Sequence, residues 1–318
     1  MIDPAPTESL SPHGSHPDVS VIIPCYNCVR FVQQTIDSVL RQEDVAVEII
    51  AVNDGSTDET LAILESNPRV DKILTQANQG SGAARNTGAA VARGRYLIFL
   101  DSDDLLLPGA IRTLADVMSS TDAGFAYGQA FLIDIDGNRI TNYAMGYHAP
   151  GKHTMQAVCR GILFQPSAGM FRRDIFEEIG GFYTPGDAED WDILFRFAGL
   201  AEGVMTAKAV LEYRFHVQSK TRNYPKTLEH ALAIQSANRR RYALWHKFPF
   251  SCLVGSLKVA FYFASEYRGS RNDPQAKYTE SANRSIRKHP WVRLMIWTVP
   301  LLSRVKRMLR SRRNDGRE

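Results

Sequence analysis

Three carboxylates stand within four residues in Asp101-Ser102-Asp103-Asp104, directly after the apolar run Tyr96-Leu97-Ile98-Phe99-Leu100. Such a run reads as a buried strand of a parallel sheet, covered on both faces. The acids then sit at the strand's carboxyl end, where open α/β sheets bind ligands. Asp101 and Asp103 are two apart, so in extended chain their side chains leave the same way. A bend lets both reach one hard cation. Mg²⁺ takes one or two carboxylates together with substrate phosphates, so the pattern points to a metal–diphosphate site. The competing explanation is an acidic cap on a helix beginning near Pro108, because Asp and Pro are common at helix starts.

Two other clusters follow apolar runs in the same way. Pro24-Cys25-Tyr26-Asn27 comes after Val19–Ile23, and Asn53-Asp54-Gly55-Ser56 after Val47–Val52. A sheet of this kind gathers strand ends along one crevice. There Tyr26 can lie flat on a nucleobase and Asp54 can accept from a ring N–H. Each has a plainer explanation: Tyr26 fills a loop, Asp54-Gly55 is a turn pair, and Asn27 caps the next helix. Asp190, after Asp187 as N-cap, falls in a first helical turn, where a carboxylate favours the dipole. Cys25-x-x-Cys28 resembles a redox or zinc half-motif, but no second pair with ligand spacing follows, so no chemistry is attached to it.

The elements that must place these residues alternate strand and helix. Val19–Ile23 is a first strand, stopped by Pro24. A helix then shows Val32, Ile36, Val39 and Leu40 on one face. After the second strand, Ser56 and Glu59 read as a capping box for a helix carrying Leu61 and Leu64. Asp71–Thr75 is a short third strand, and Gly80–Asn86 opens a small-residue helix before the strand that ends at Asp101. Short connections make this a parallel, doubly wound sheet. Beyond Pro108, a helix presents Ile111, Leu114, Ala115 and Met118. Phe125–Ile133 and the segment after Asp136-Gly137-Asn138 form a hairpin, so the second part is mixed. Asp187–Ala198 reads as a helix with Trp191, Leu194, Phe195 and Ala198 inward, and Val204–Tyr213 as a strand. From about Tyr224 the pattern is helical.

At 318 residues, with 44% hydrophobic and 23% charged, the chain is neither disordered nor membrane-embedded throughout. The net charge of +4 is uneven: Arg284–Glu318 holds eleven Lys/Arg against two acids, a net +9, leaving −5 for the preceding 283 residues. A basic tail on an acidic domain argues against nucleic acid as partner. Four cysteines form no disulfide framework and suggest a reducing, cytoplasmic setting. Residues 1–18, rich in proline and serine, read as a flexible leader rather than a signal peptide. No stretch is apolar enough to span a bilayer, since Lys258 and Glu266 interrupt the nearest one. Tryptophans Trp291 and Trp297 interleave with the tail's basic residues. That suits either a helix in an anionic membrane interface, at the inner face of the plasma membrane, or a packing helix with a solvated basic end.

The ordered motifs resemble the inverting glycosyltransferases of family 2. They are Val21–Asn27, Val52–Asp58, Asn78-Gln79-Gly80 through Ala84–Gly88, Leu100–Asp104, Gly180-Gly181-Phe182 and Glu189-Asp190-Trp191-Asp192. The resemblance covers roughly residues 19–220. It implies a GT-A-type α/β fold, a doubly wound mixed sheet over residues 19–222, with a helical C-terminal extension over 223–318. Pro24, Tyr26, Asn27, Asp54, Asn78, Gly80, Arg85, Asp101 and Ser102 would bind a nucleotide-sugar donor, with uracil favoured. Asp101 and Asp103, with His216, would hold Mn²⁺ or Mg²⁺. Asp190 would be the catalytic base, with Glu189 beside it. The acceptor would be a glycan or a lipid-linked sugar, approached through loops around Tyr143–Gln165, in cell-surface polysaccharide synthesis. The rival from another class is a non-catalytic nucleotide-sugar or glycan-binding protein. Dinucleotide and P-loop chemistry are excluded: the first strand lacks G-x-G-x-x-G, and no G-x-x-x-x-G-K-[ST] occurs.

Overall fold

The computed structural model describes residues 17–143, 154–160, 163–183 and 189–215, and within 233–247 all but 235 and 239. His216, residues 1–16 and 144–153, the expected N-cap Asp187 and the basic tail lie outside the described residues. Two compact units divide the chain: Met1–Val158 with Ile162–Ser219, and Cys159–Gly161 with Lys220–Glu318.

In the first unit the sheet begins with β1 (Val19–Cys25), whose seven residues are all buried. Burial of Val21, Ile22 and Ile23 contributes on the order of 2 kcal/mol each. The other strands are β2 (Val47–Asp54), β3 (Lys72–Gln76), β4 (Tyr96–Phe99), β5 (Leu105–Leu106), β6 (Phe125–Ile133), β7 (Arg139–Tyr143), β8 (Gly169–Arg172) and β9 (Gly203–Arg214). They lie in the order β3-β2-β1-β4-β8-β6-β9-β5, with β7 paired to β6. The first four are parallel. β8 then enters antiparallel between β4 and β6, and β9 returns parallel to β6. The strand before the acids is therefore parallel to its neighbour on one side only.

The helices are α1 (Val32–Leu40), α2 (Thr60–Glu65), α3 (Ser81–Ala89), α4 (Ala110–Ser119), α5 (Thr154–Val158), α6 (Arg173–Glu178) and α7 (Glu189–Ala198). α1 and α4 bury the faces their periodicity assigns, except that Leu40 is only half-buried. α3 lies directly on the sheet, because Gly88 lets it approach. A Cβ there would stand 2.5 Å from Ile22 Cγ2 and 3.2 Å from Val52 Cγ2. α7 buries Ile193 and Phe197 as well as Trp191, Leu194 and Phe195, while Ala198 is half-buried, so its apolar surface is wider than one stripe.

Three local expectations are overturned. β1 runs through Pro24 to Cys25. Pairing with β4 stops at Ile22, so the proline lies beyond that ladder and its missing N–H is tolerated. Ser56 and Glu59 form no capping box: α2 starts at Thr60, whose N–H donates to Asp58 Oδ1 at 3.0 Å. Ser56 serves the loop before it. Nor do the three acids cap a helix. The strand β5 separates them from α4, which begins after Gly109 at φ 71° with no side-chain cap.

The second unit contains the short helix α8 (Leu244–Lys247). Among the described residues no helix is long and apolar enough to cross a membrane.

Candidate active site

The loops after β1 and β2 are sewn together. Asn27 turns the chain back with φ 48°, a left-handed value Asn tolerates better than most residues. Its Oδ1 accepts from Thr57 N–H at 2.8 Å, while its own N–H donates to Ser56 Oγ at 3.2 Å. Cys28 N–H donates to Thr60 Oγ1 at 2.9 Å. The Cys28 carbonyl then accepts from Phe31 and Val32, starting α1. Asn27 is thus a stitch between loops, not the cap of α1. At the crest Tyr26 is 48% exposed. The same turn brings the two thiols together: the Cys28 contact and burial push Cys25 up, and the Cys25 contact pulls Cys28 down. Both are free and buried.

Asp54 ends β2 and is buried, yet its carboxylate is well supplied. Oδ1 accepts from Gln76 Nε2 at 2.8 Å and Gln79 N–H at 2.9 Å; Oδ2 accepts from Gly80 N–H at 2.8 Å. A carboxylate has about four lone-pair sites, so about one on Oδ2 remains for a ligand. Asp54 therefore folds the Asn78–Gly80 loop as well as facing the crevice end of the sheet.

Arg85 links the acids of β4 to those of α7. Its side chain is 4% exposed, with Nη2 at 2.6 Å from Asp101 Oδ1 and Nη1 at 3.5 Å from Glu189 Oε1. Phe182 covers the guanidinium at 5.2 Å. Burial opposes the charge, but Asp101, Glu189 and Asp190 hold Arg85 protonated, above its ordinary value. Among the described residues Nε and Nη1 meet no hydrogen-bond partner. Glu189 also accepts from Ser81 Oγ at 2.8 Å. Burial first, then the Glu189 charge, push the Asp190 carboxyl up to about 7 against the attraction of Arg85. α7 is fixed by Trp191 Nε1, which donates to Val158 O at 2.9 Å, and by Arg196, which spans Asp192 and the Ile179 carbonyl.

The turn after β4 divides its three acids. Asp101 is one-third exposed and its N–H donates to Ser167 Oγ at 3.1 Å. Asp104 is wholly buried; burial, then the charges of Asp103 and Asp101, push its carboxyl well up. Its Oδ1 accepts from Arg214 N–H at 3.0 Å. Asp104 belongs to the interior, whereas Asp101 and Asp103 are only half-buried. Among the described residues no group of three His, Cys, Asp or Glu is arranged to hold a metal. Two carboxylates on one turn still fit a hard dication that completes its shell with substrate phosphate oxygens and water.

Of the residues singled out from sequence, Pro24 and Asp54 lie in the last residues of β1 and β2, and Tyr26, Asn27, Asn78 and Gly80 on the loops beyond β1 and β3. Arg85, Asp101, Glu189 and Asp190 form one charged cluster, with Ser102 and Asp103 on the turn beside it. Ser167 and Arg214 take part without having been anticipated, and Ser81 and Phe182, which lie inside the quoted motifs, without having been given a role of their own. Arg214 had one visible signal: a charge beside the apolar Val210 and Leu211 of a strand.

Residues 20–180 match the family described as Glycosyl transferase family 2. EpsH of Bacillus subtilis (strain 168) is 32% identical over 70% of this chain and 68% of its own. Chondroitin synthase of Pasteurella multocida (strain Pm70) is 28% identical over 79% of this chain, which spans only 26% of that relative. Among solved structures, S. aureus TarS in complex with UDP-GlcNAc aligns with TM-score 0.62 at 17% identity, over 85% of this chain and 79% of that one. The mannosyltransferase PcManGT of Pyrobaculum calidifontis, in complex with GDP-Man and Mn²⁺, aligns with TM-score 0.56 at 17% identity, over 87% of each. The architecture is therefore the GT-A fold. By its motifs, its sheet and the span of the match, the chain belongs to glycosyl transferase family 2.

Proposed function

We propose that the protein transfers a sugar, with inversion, from a nucleotide-sugar donor to a hydroxyl of a growing glycan or lipid-linked acceptor in cell-surface polysaccharide synthesis. The observation that carries this reading is the Asp101–Arg85–Glu189 bridge, which holds the diphosphate side of the site against the residue pair that includes the base. Asp190 takes the proton of the acceptor hydroxyl as that oxygen attacks the anomeric carbon from the face opposite the nucleotide. A carboxyl pushed up to about 7 suits the task, being a stronger base than an ordinary aspartate and largely ionised just above neutrality. Glu189, held by Ser81 and Arg85, orients the start of α7.

Asp101 and Asp103, with His216 as a third candidate, would hold Mg²⁺ or Mn²⁺, whose charge offsets that building on the departing diphosphate. Tyr26 offers a flat exposed ring for the base, and the remaining Oδ2 site of Asp54 suits a ring N–H, as in uracil. UDP-GlcNAc in TarS and GDP-Man in PcManGT support a nucleotide sugar as the donor class. The chondroitin synthase relative supports a polysaccharide product.

The test is Asp190→Asn. Donor binding should stay near wild type while turnover falls about 10²–10⁴-fold, the loss usual for a general base. Glu189→Gln should cost less turnover. Full activity in both variants would refute the mechanism, and the reverse ranking would move the base to Glu189.

A further inference from the structure

Arg214 is the largest of the fully buried side chains. Among the described residues it meets no carboxylate at ion-pair distance through its guanidinium. Instead Nε donates to Asp103 O at 2.9 Å, Nη1 to Asp134 O at 3.3 Å and Ile135 O at 3.1 Å, and Nη2 to Gln34 Oε1 at 3.0 Å. The Phe31 ring lies 4.8 Å from its Cζ. Burial opposes its charge, which the nearby carboxylates of Asp103, Asp104 and Asp134 offset only in part; a packed apolar residue of similar volume often serves stability as well or better. What the arginine adds is geometry.

Its planar fork reaches three places at once: the acidic turn, α1 and the β6–β7 turn. On the acidic turn, the Asp103 carbonyl is bound to Nε, and the Asp104 carboxyl to the Arg214 backbone. The Asp104 carbonyl accepts from Thr35 Oγ1 at 2.9 Å. The peptide between Asp103 and Asp104 is held at its carbonyl by Arg214 and at its N–H, which donates to Asp101 O at 3.1 Å, and this fixes the direction in which the Asp103 side chain leaves the chain. Asp101, two residues earlier, is pinned by Ser167 and Arg85.

We propose that Arg214 is a positioning residue for the divalent cation. It presets the Asp101–Asp103 pair from behind, through the Asp103 carbonyl, without touching the ion. This rests on the reading of Asp101 and Asp103 as metal ligands. A lysine keeps the charge but has no planar fork, so it cannot hold Asp103 O, the β6–β7 turn and Gln34 together.

Mn²⁺ binding to the full chain, followed by electron paramagnetic resonance with the metal alone, tests the idea. Arg214→Lys should weaken Mn²⁺ binding about tenfold, the loss expected for a charge-assisted hydrogen bond. Glu48→Gln is the control for lost stability alone. Glu48 is buried in a separate network with Ser20 and Arg93, and its variant should melt lower yet keep wild-type Mn²⁺ affinity. Should Arg214→Lys fail to fold, Gln34→Ala removes one tether at an exposed residue and should weaken Mn²⁺ binding by about threefold. Wild-type affinity in a folded Arg214→Lys, or in Gln34→Ala where that variant has to stand in, overturns the positioning role and leaves the metal reading intact. Equal weakening in Glu48→Gln overturns it too, since stability alone would explain the loss. A wild-type chain that binds no Mn²⁺ overturns both.

Discussion

Asp190 gives the molecule a pH signature that can be read without any substrate. Its carboxyl titrates near 7 in the folded chain and near the ordinary 3.8 when unfolded. Between those values the folded state holds more proton than the unfolded one, so stability falls as pH rises through the window and stays reduced above it. Asn at this position keeps the shape and removes the charge. Asp190→Asn should therefore be more stable than wild type at pH 8, by roughly 1–2 kcal/mol after allowing for partial exposure. The gap should close near pH 3, where the carboxyl is protonated when folded and mostly so when unfolded. Urea melts at both pH values would show this; a variant less stable than wild type at pH 8 would mean that the charge is well paired. Asp101, Asp103 and Tyr26 were legible as candidates because of their types and places after apolar runs, whereas Asp190 stood out only through the motif Glu189–Asp192. Arg85 was legible only as part of a pocket. Its partner Glu189 comes from a distant helix, and no local spacing encodes that meeting. Arg214 was hidden for the same reason, since five of its contacts lie on other elements.

At the scale of elements, the parallel strands and the faces of α1 and α4 followed from periodicity, while the short pieces did not. β8 has only four residues and β5 two, too few for alternation to register. The apparent capping box failed because Ser56 is held by Asn27 and by the Asn53 side chain, which accepts its N–H at 3.0 Å. A tertiary stitch replaced a helical cap. The seat of α3 gives a prediction at this scale. Gly88→Ala places a methyl 2.5 Å from Ile22 Cγ2, so the helix must lift from β1 and β2. Overpacking of this sort costs about 1–3 kcal/mol. Because Arg85 is one turn away on the same helix, turnover should fall as well, beyond what the unfolded fraction explains. A thermal melt beside an activity assay checks both, and an unchanged melting temperature would show that the sheet yields.

For the whole molecule, the matched motifs end before the basic tail, so catalysis and attachment should separate. If the tail binds an anionic membrane surface, each basic residue near the surface adds roughly 1 kcal/mol. Truncation after Pro290 should then release the protein from anionic vesicles in flotation, as should added salt for the full chain, with the melting temperature unchanged. If neither form floats at low salt and truncation lowers the melting temperature, the tail is a packing element.

The second half of the first unit also decides when the first half is finished. Asn86 of α3 clamps Phe182 by both backbone groups, accepting its N–H at 2.8 Å and donating to its carbonyl at 2.9 Å. Gly181 passes so close that a Cβ would lie 2.5 Å from Asn86 Oδ1. Arg85, next to it, waits on Phe182 and Glu189 for its cover. During synthesis from the amino terminus these native contacts of Asn86 and Arg85 cannot form until residues 181–189 have been made, so the early half cannot complete its charged floor by itself.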